Sequence, residues 1–205
     1  MGKSYKKEVR LSSLQTDALK EIGNIGTGNA ATALSQLISC PVNMAPPRVK
    51  LIEEKVFSMI MEDPGQIGVR IRILGEIRGD IYLLFSREDA EKLLEVVSEF
   101  GRLGKKEVTL NSALLEIANI MAGAYTTALF QMSHLSIFSS VPEIMEPKDL
   151  FSPDLLETAS LLIENDLNIS KFGLHSMMLL HPEPSSLKLF LKKIGVNDME
   201  SMTGK

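Results

Sequence analysis

The chain has 205 residues, 44% of them hydrophobic and 23% charged, with a formal net charge of −4. That is enough apolar material for one sizeable core or two small fused units. It offers no basic field for nucleic acid or an anionic membrane, since Lys6-Lys7 and Lys192-Lys193 are isolated pairs. Trp is absent and aromatics make up only 5%, which removes base-stacking platforms, and the single cysteine, Cys40, excludes an internal disulfide framework.

Cys40, beside Pro41 and with no histidine nearby, reads as a small apolar filler in a reducing compartment. Met1 to Arg10 is charged without an apolar stretch, so no secretory signal is expected, and no run approaches the ~18 apolar residues of a membrane span. These features predict a soluble cytoplasmic protein.

Ser12-x-x-Gln15 is a capping-box signal that opens a long helix. Leu14, Ala18, Ile22 and Ile25 recur at helical spacing and predict its core-facing stripe. Asp17, Glu21 and Asn24 each precede a member of that stripe, which sets them about 100° around the helix, on one line at the margin of the buried face. Gly23-Asn-Ile-Gly-Thr-Gly28 lacks a Gly-Lys-Ser/Thr ending and a preceding strand, so it is read as helix with small packing residues rather than a phosphate loop.

Strands are predicted at Arg48–Met61, Gly68–Leu74 and Glu76–Phe85. Val69, Ile71 and Ile73 alternate with Arg70 and Arg72, and Gly75-Glu76 makes a hairpin turn. Arg87–Phe100 follows as an amphipathic helix with Ala90, Leu93, Leu94 and Val97 on one stripe. Gly101–Lys106, rich in Gly and basic residues, reads as a junction. A second long helix then carries Ser112, Glu116 and Asn119 beside Ala113, Ile117 and Ile120. Leu155–Ile163 and Phe172–Leu180 are predicted strands around a polar connection at Asn165–Asn168, and a short helix closes the pattern from Pro184 to Ile194. His134, His175 and His181 are scattered, with His181-Pro182 read as a turn, and no metal-ligand spacing occurs.

The two long helices repeat each other. Residues 17–34 align without a gap to 112–129, at an offset of 95, with ten of eighteen positions identical, including Glu21/Glu116, Asn24/Asn119 and Gly28/Gly123. About one identity is expected by chance in such a window, and Ala/Leu richness does not explain a shared Glu, Asn and Gly. Pro47 and Pro142 each fall 23 residues after their Asn. Asn is a poor helix former, so keeping it mid-helix twice costs a few tenths of a kcal/mol per copy with no local return. The expected fold is α/β (α+β): a single domain over 1–205 with internal duplication and pseudo-twofold halves near 12–100 and 108–195. Two long helices should pack on the same side of a shared β-sheet, with further helices alongside.

Asp17, Glu21, Asn24 and Pro47, and again Ser112, Glu116, Asn119 and Pro142, resemble the pattern of the CheC/FliY/CheX family of chemotaxis phosphatases, and Gly23–Asn29 is similar to its CheC type. The resemblance implies hydrolysis of the aspartyl phosphate of the response regulator CheY. It implies Glu21, Asn24, Glu116 and Asn119 as catalytic residues, with Asp17, Ser112, Pro47 and Pro142 supporting. It also implies a second partner, the receptor deamidase CheD, and no cofactor beyond Mg²⁺ brought by the phosphorylated receiver. In that setting an amide suits the placing of an in-line water, since its carbonyl accepts from the water while its NH₂ donates to a phosphoryl oxygen. The two glutamates are read as docking the receiver through its lysine. The phosphatase core of a flagellar-switch FliY protein, or a non-enzymatic adaptor for the receiver and CheD, are the alternatives.

Overall fold

The computed structural model describes residues 11–52, 65–100, 109–145 and 160–196. In chain order its elements are helix α1 (Ser13–Ile38), strands β1 (Asn43–Met44), β2 (Arg48–Ile52), β3 (Gln66–Gly75) and β4 (Gly79–Ser86), and helices α2 (Arg87–Phe100) and α3 (Leu110–Ser133). Strands β5 (Ile137–Ser139), β6 (Glu143–Met145), β7 (Ser160–Ile169) and β8 (Leu174–Pro182) follow, and helix α4 (Pro184–Lys193) ends the described chain.

Local chemistry fixes the ends of the long helices. At the start of α1, Ser12 and Gln15 form a reciprocal capping box: the Gln15 N–H donates to Ser12 Oγ at 3.2 Å and the Ser12 N–H donates to Gln15 Oε1 at 3.0 Å. Thr109 and Ser112 play the same parts at α3. Both helices stop at a left-handed residue, Ser39 at φ 52° and His134 at φ 55°. Helix α3 is long and apolar enough to cross a membrane by composition alone, but more than half of that stretch is buried inside the fold, so its hydropathy is that of a core helix.

The eight strands form one antiparallel sheet in the order β1-β7-β8-β4-β3-β5, with β2 also on β7 and β6 also on β3. This topology maps onto itself when β1 to β4 are exchanged with β5 to β8. Each half therefore receives its edge strands from the other, β1 and β2 lying on β7 while β5 and β6 lie on β3. The expected alternation holds along β3: Val69, Ile71 and Ile73 are buried in the core while Arg70 and Arg72 face the other way. The four described helices share the same sheet face. Leu19 and Ile22 of α1, Leu129 of α3 and Phe190 of α4 meet Ile73, Ile163 and Leu180 of the sheet, and Leu93 and Val97 of α2 join the same cluster. The opposite face carries a small apolar group, Tyr82, Leu84, Leu162 and Leu179. Cross-strand ion pairs share that face: Arg48 and Lys50 with Glu164, Arg70 with Asp80 and Arg72 with Glu143.

Three expectations are corrected. The buried line of α1 is Gln15, Leu19, Ile22, Gly26 and Ala30, whereas Leu14 is exposed and Ala18 and Ile25 are half-buried. The largest aliphatic residues had suggested the wrong stripe, because the close contact with α3 is made by small ones. The segment Asn165–Asn168 is not a connection but the middle of β7, with β1 and β2 on one side and β8 on the other. The turn comes later, at the 3₁₀ residues Ser170–Phe172 and Gly173 (φ 58°). His181 lies in strand β8 and is buried, not in a turn. The predicted junction at Gly101–Lys106, the strand residues 53–61 and 155–159, and Met1–Arg10 fall outside the described residues. Cys40 is a free, buried member of the core, as its composition suggested.

Candidate functional site

The predicted site residues divide between two helices and two buried prolines. On α1, Asp17, Glu21 and Asn24 are all exposed. With the core line passing through Leu19 and Gly26, they lie on the far side of the helix, with Asn24 at the margin of the buried face beside Thr27 and Ala31. On α3, Ser112 and Asn119 are exposed and Glu116 is half-buried, on the side opposite the buried residues Leu114, Met121 and Tyr125. The spacing of three puts each carboxylate and its amide on one ridge, about 5–6 Å apart at Cβ.

The supporting residues behave differently from one another. Ser112 is a capping residue: its hydroxyl donates to the Thr109 carbonyl at 2.8 Å and accepts from the Thr109 N–H at 3.0 Å. Asp17 plays no such part, because α1 begins earlier relative to its motif and is capped by Ser12. It instead meets Lys20 at 3.4 Å on the surface. Pro47 and Pro142 are buried. Pro47 presses on α1 immediately beside the amide: a Cβ on Gly23 would stand 2.9 Å from Pro47 Cβ and 2.9 Å from Ile163 Cγ2. A glycine at 23 is thus what lets the Pro47 segment and β7 close on the helix next to Asn24. At the matching place on α3 the residue is Ala118, fully buried.

Among the described residues no hydrogen bond or ion pair engages the side chains of Glu21, Asn24, Glu116 or Asn119. The fold therefore holds two carboxylate–amide pairs on long helices, with three of the four side chains exposed and Glu116 half-buried. Beside Asn24 runs an open groove of about 410 Å³ lined by Asn24, Thr27, Gly28, Ala31, Asn43 and Met44. Asn43 and Met44 reach it from β1, which residue spacing cannot show, since it depends on the chain folding back after Ser39. Among the described residues there is no group of three or more His, Cys, Asp or Glu able to hold a metal ion. The buried charges are elsewhere, on the far face of the sheet. There burial alone would raise the Glu164 carboxyl, but hydrogen bonds from Lys50 and Arg48 outweigh it and hold the group below the ordinary carboxylate range.

Residues 14–51, which include the first Glu–Asn pair and Pro47, match the model of the CheC-like family. The chain is 30% identical over 171 residues to the CheY-P phosphatase CheC of Bacillus subtilis, covering 80% of this chain and 77% of that protein. It is 28% identical to the flagellar motor switch phosphatase FliY of the same organism, covering 84% of this chain but 47% of the relative, so it spans about half of that longer protein. Among solved structures, FliY of Thermotoga maritima matches with a TM-score of 0.67 at 20% identity, over 92% of this chain and 99% of that one. The CheX of a Borrelia burgdorferi CheX–CheY–BeF₃–Mg²⁺ complex matches with a TM-score of 0.53 at 16% identity, over 80% and 97%. With a shared fold, the Glu–Asn–Pro pattern present twice, and that degree of identity along most of a CheC, the chain belongs to the CheC/FliY/CheX family.

Proposed function

We propose that the protein hydrolyses the aspartyl phosphate of a phosphorylated CheY-type receiver, with one site at Glu21 and Asn24 and a second at Glu116 and Asn119. The observation that carries this reading is the pair of carboxylate–amide ridges, unengaged among the described residues, in a chain 30% identical to a CheY-P phosphatase. Support for the partner comes from the CheX relative that was solved in complex with CheY.

An aspartyl phosphate is an acyl phosphate, a mixed anhydride that is already activated, so the remaining task is to place a water in line with the leaving oxygen. Asn24 and Asn119 are suited to it: the amide oxygen accepts from the water and the amide NH₂ donates to a phosphoryl oxygen, without the repulsion that a carboxylate would introduce. Glu21 and Glu116, one turn earlier, dock the receiver by pairing with a lysine on its phosphate-bearing surface, a charge-assisted contact. Mg²⁺ carried by the receiver neutralises phosphoryl charge. Pro47 sets its segment against α1, Pro142 is buried and Ser112 caps α3, so these residues support the sites without touching substrate.

The test is phosphate release from phosphorylated CheY with and without the protein. Release at the rate of spontaneous hydrolysis would leave only the adaptor reading. The FliY likeness leads to the same chemistry, since that relative is also named a phosphatase. Association with the deamidase CheD and a cytoplasmic location remain proposals that follow from family membership. Co-purification of the two proteins from a mixed lysate tests the first.

A further inference from the structure

Four helical glycines lie near the two Glu–Asn pairs, and they fall into two kinds. Gly23 and Gly26 are required by packing: a Cβ at Gly23 would press on Pro47 and Ile163, and one at Gly26 would stand 2.4 Å from the Tyr125 ring. Gly28 and Gly123 are not. A Cβ at either would meet nothing within 4 Å, and neither has a positive φ. Glycine is nevertheless the poorest helix former after proline, and both positions are interior to long helices.

Each of these two glycines stands four residues after its amide, on the same ridge as the Glu and the Asn. In both cases a threonine four residues further on donates its hydroxyl to the glycine carbonyl, Thr32 to Gly28 at 2.8 Å and Thr127 to Gly123 at 2.7 Å. Gly28 also lines the groove beside Asn24, together with Ala31 and Asn43. A glycine that serves neither the backbone nor any contact within the chain, twice, at the same step from a site residue, leaves the approach of an outside molecule as its physical use.

We propose that Gly28 and Gly123 are clearance positions. Their missing Cβ lets the phosphate-bearing loop of the receiver seat against the helix close enough for Asn24 or Asn119 to reach the phosphoryl group. This rests on the phosphatase reading above for the identity of the partner. The two glycines touch no reacting atom; they position the substrate through the distance of approach, where a displacement of about 1 Å costs on the order of 100-fold in rate.

The experiment isolates one site at a time in the full-length chain. Gly28→Leu is made in a Glu116→Ala/Asn119→Ala background and Gly123→Leu in a Glu21→Ala/Asn24→Ala background, so that only one site can bind or turn over. Each is compared with its parent for phosphate release from phosphorylated CheY, for binding of CheY–beryllofluoride–Mg²⁺, and for melting temperature. The Leu variants should melt a few degrees higher than their parents, because Leu is the better helix former in open space. They should lose about 100-fold in turnover and bind the beryllofluoride complex at least tenfold more weakly. Unchanged binding and turnover would overturn the inference, as would a fall in melting temperature, which would mark the glycines as structural. If the unmutated protein releases no phosphate, the phosphatase reading fails, and the binding comparison alone still decides for or against clearance.

Discussion

At Asn24 and Asn119 the amide is exposed, unpaired within the described residues and set one turn from a carboxylate. Placing one water by one amide is worth roughly 2–4 kcal/mol of barrier, by analogy with removing a single transition-state donor. Asn24→Ala and Asn119→Ala should therefore each abolish one site and leave the other running, while the double variant loses two to three orders of magnitude in phosphate release, by the same relation of about 1.4 kcal/mol per tenfold. Ala is a better helix former than Asn, so circular dichroism should find the variants fully folded. Glu21→Ala and Glu116→Ala should weaken binding of the phosphorylated receiver along with turnover. The two residual activities need not be equal. At the offset of 95, the exposed Phe130 and Phe138 stand where Ser35 and Asn43 do, so the second copy carries apolar side chains at two positions where the first carries polar ones. The candidate site residues were legible because the same Glu–Asn spacing occurs in two copies. The side of the helix was not, because the burial of α1 is written in Gly26 and Ala30 rather than in large aliphatic residues.

Between elements, α1 and α3 approach closely at Gly26. A Cβ on Gly26 would stand 2.4, 2.6 and 2.8 Å from three atoms of the Tyr125 ring, and Tyr125 is fully buried, so the ring has little room to give. Gly26→Ala should then destabilise the protein by about 1–3 kcal/mol through overpacking, despite the better helix propensity of Ala. Denaturant unfolding with an unchanged m-value checks this, and a stabilised variant would show that the helices separate freely. Gly26→Ala thus moves stability the opposite way from Gly28→Leu, two residues along the same helix. The sheet was legible to the extent that alternation follows period two, as along Val69, Ile71 and Ile73. It failed at Asn165–Asn168, where polarity suggested a turn. Those residues are polar for other reasons: Asp166 meets Arg48 at 2.8 Å on the outer face, and Asn165 is buried beneath the helices with both amide atoms unpartnered, a cost that no period reports.

At the scale of the whole molecule, the helices and the Glu–Asn ridges occupy one face of the sheet and the buried charges the other, so acid should affect stability before it affects the site itself. Two groups on the far face define the windows. His181 is buried in β8, and burial holds its pKa below the ordinary histidine value of 6.5; the nearby Asp80 carboxylate opposes this and the Arg70 guanidinium adds to it. A histidine kept neutral in the fold binds its proton more readily in the unfolded chain. The stability it permits is therefore complete above about pH 6.5 and is lost as the pH falls from there toward its folded value. Glu164 has the other form of linkage. Its carboxyl, held low by Lys50 and Arg48, contributes stability that is present above the ordinary carboxylate value of 4.5 and is lost only as the pH falls below it. Between pH 7.5 and pH 5 the histidine therefore acts without the glutamate, and the melting temperature should decline across that interval. His181→Gln removes the titrating group while keeping a polar side chain near Asp80 and Arg70, so the decline should become shallower even if the variant is less stable at pH 7.5. Lys50→Met should leave that interval unchanged and alter only the loss below pH 4.5. Scanning melts of the three proteins from pH 4 to pH 8 check both windows. A His181→Gln profile parallel to that of the unmutated protein between pH 7.5 and pH 5 would remove the histidine as the cause.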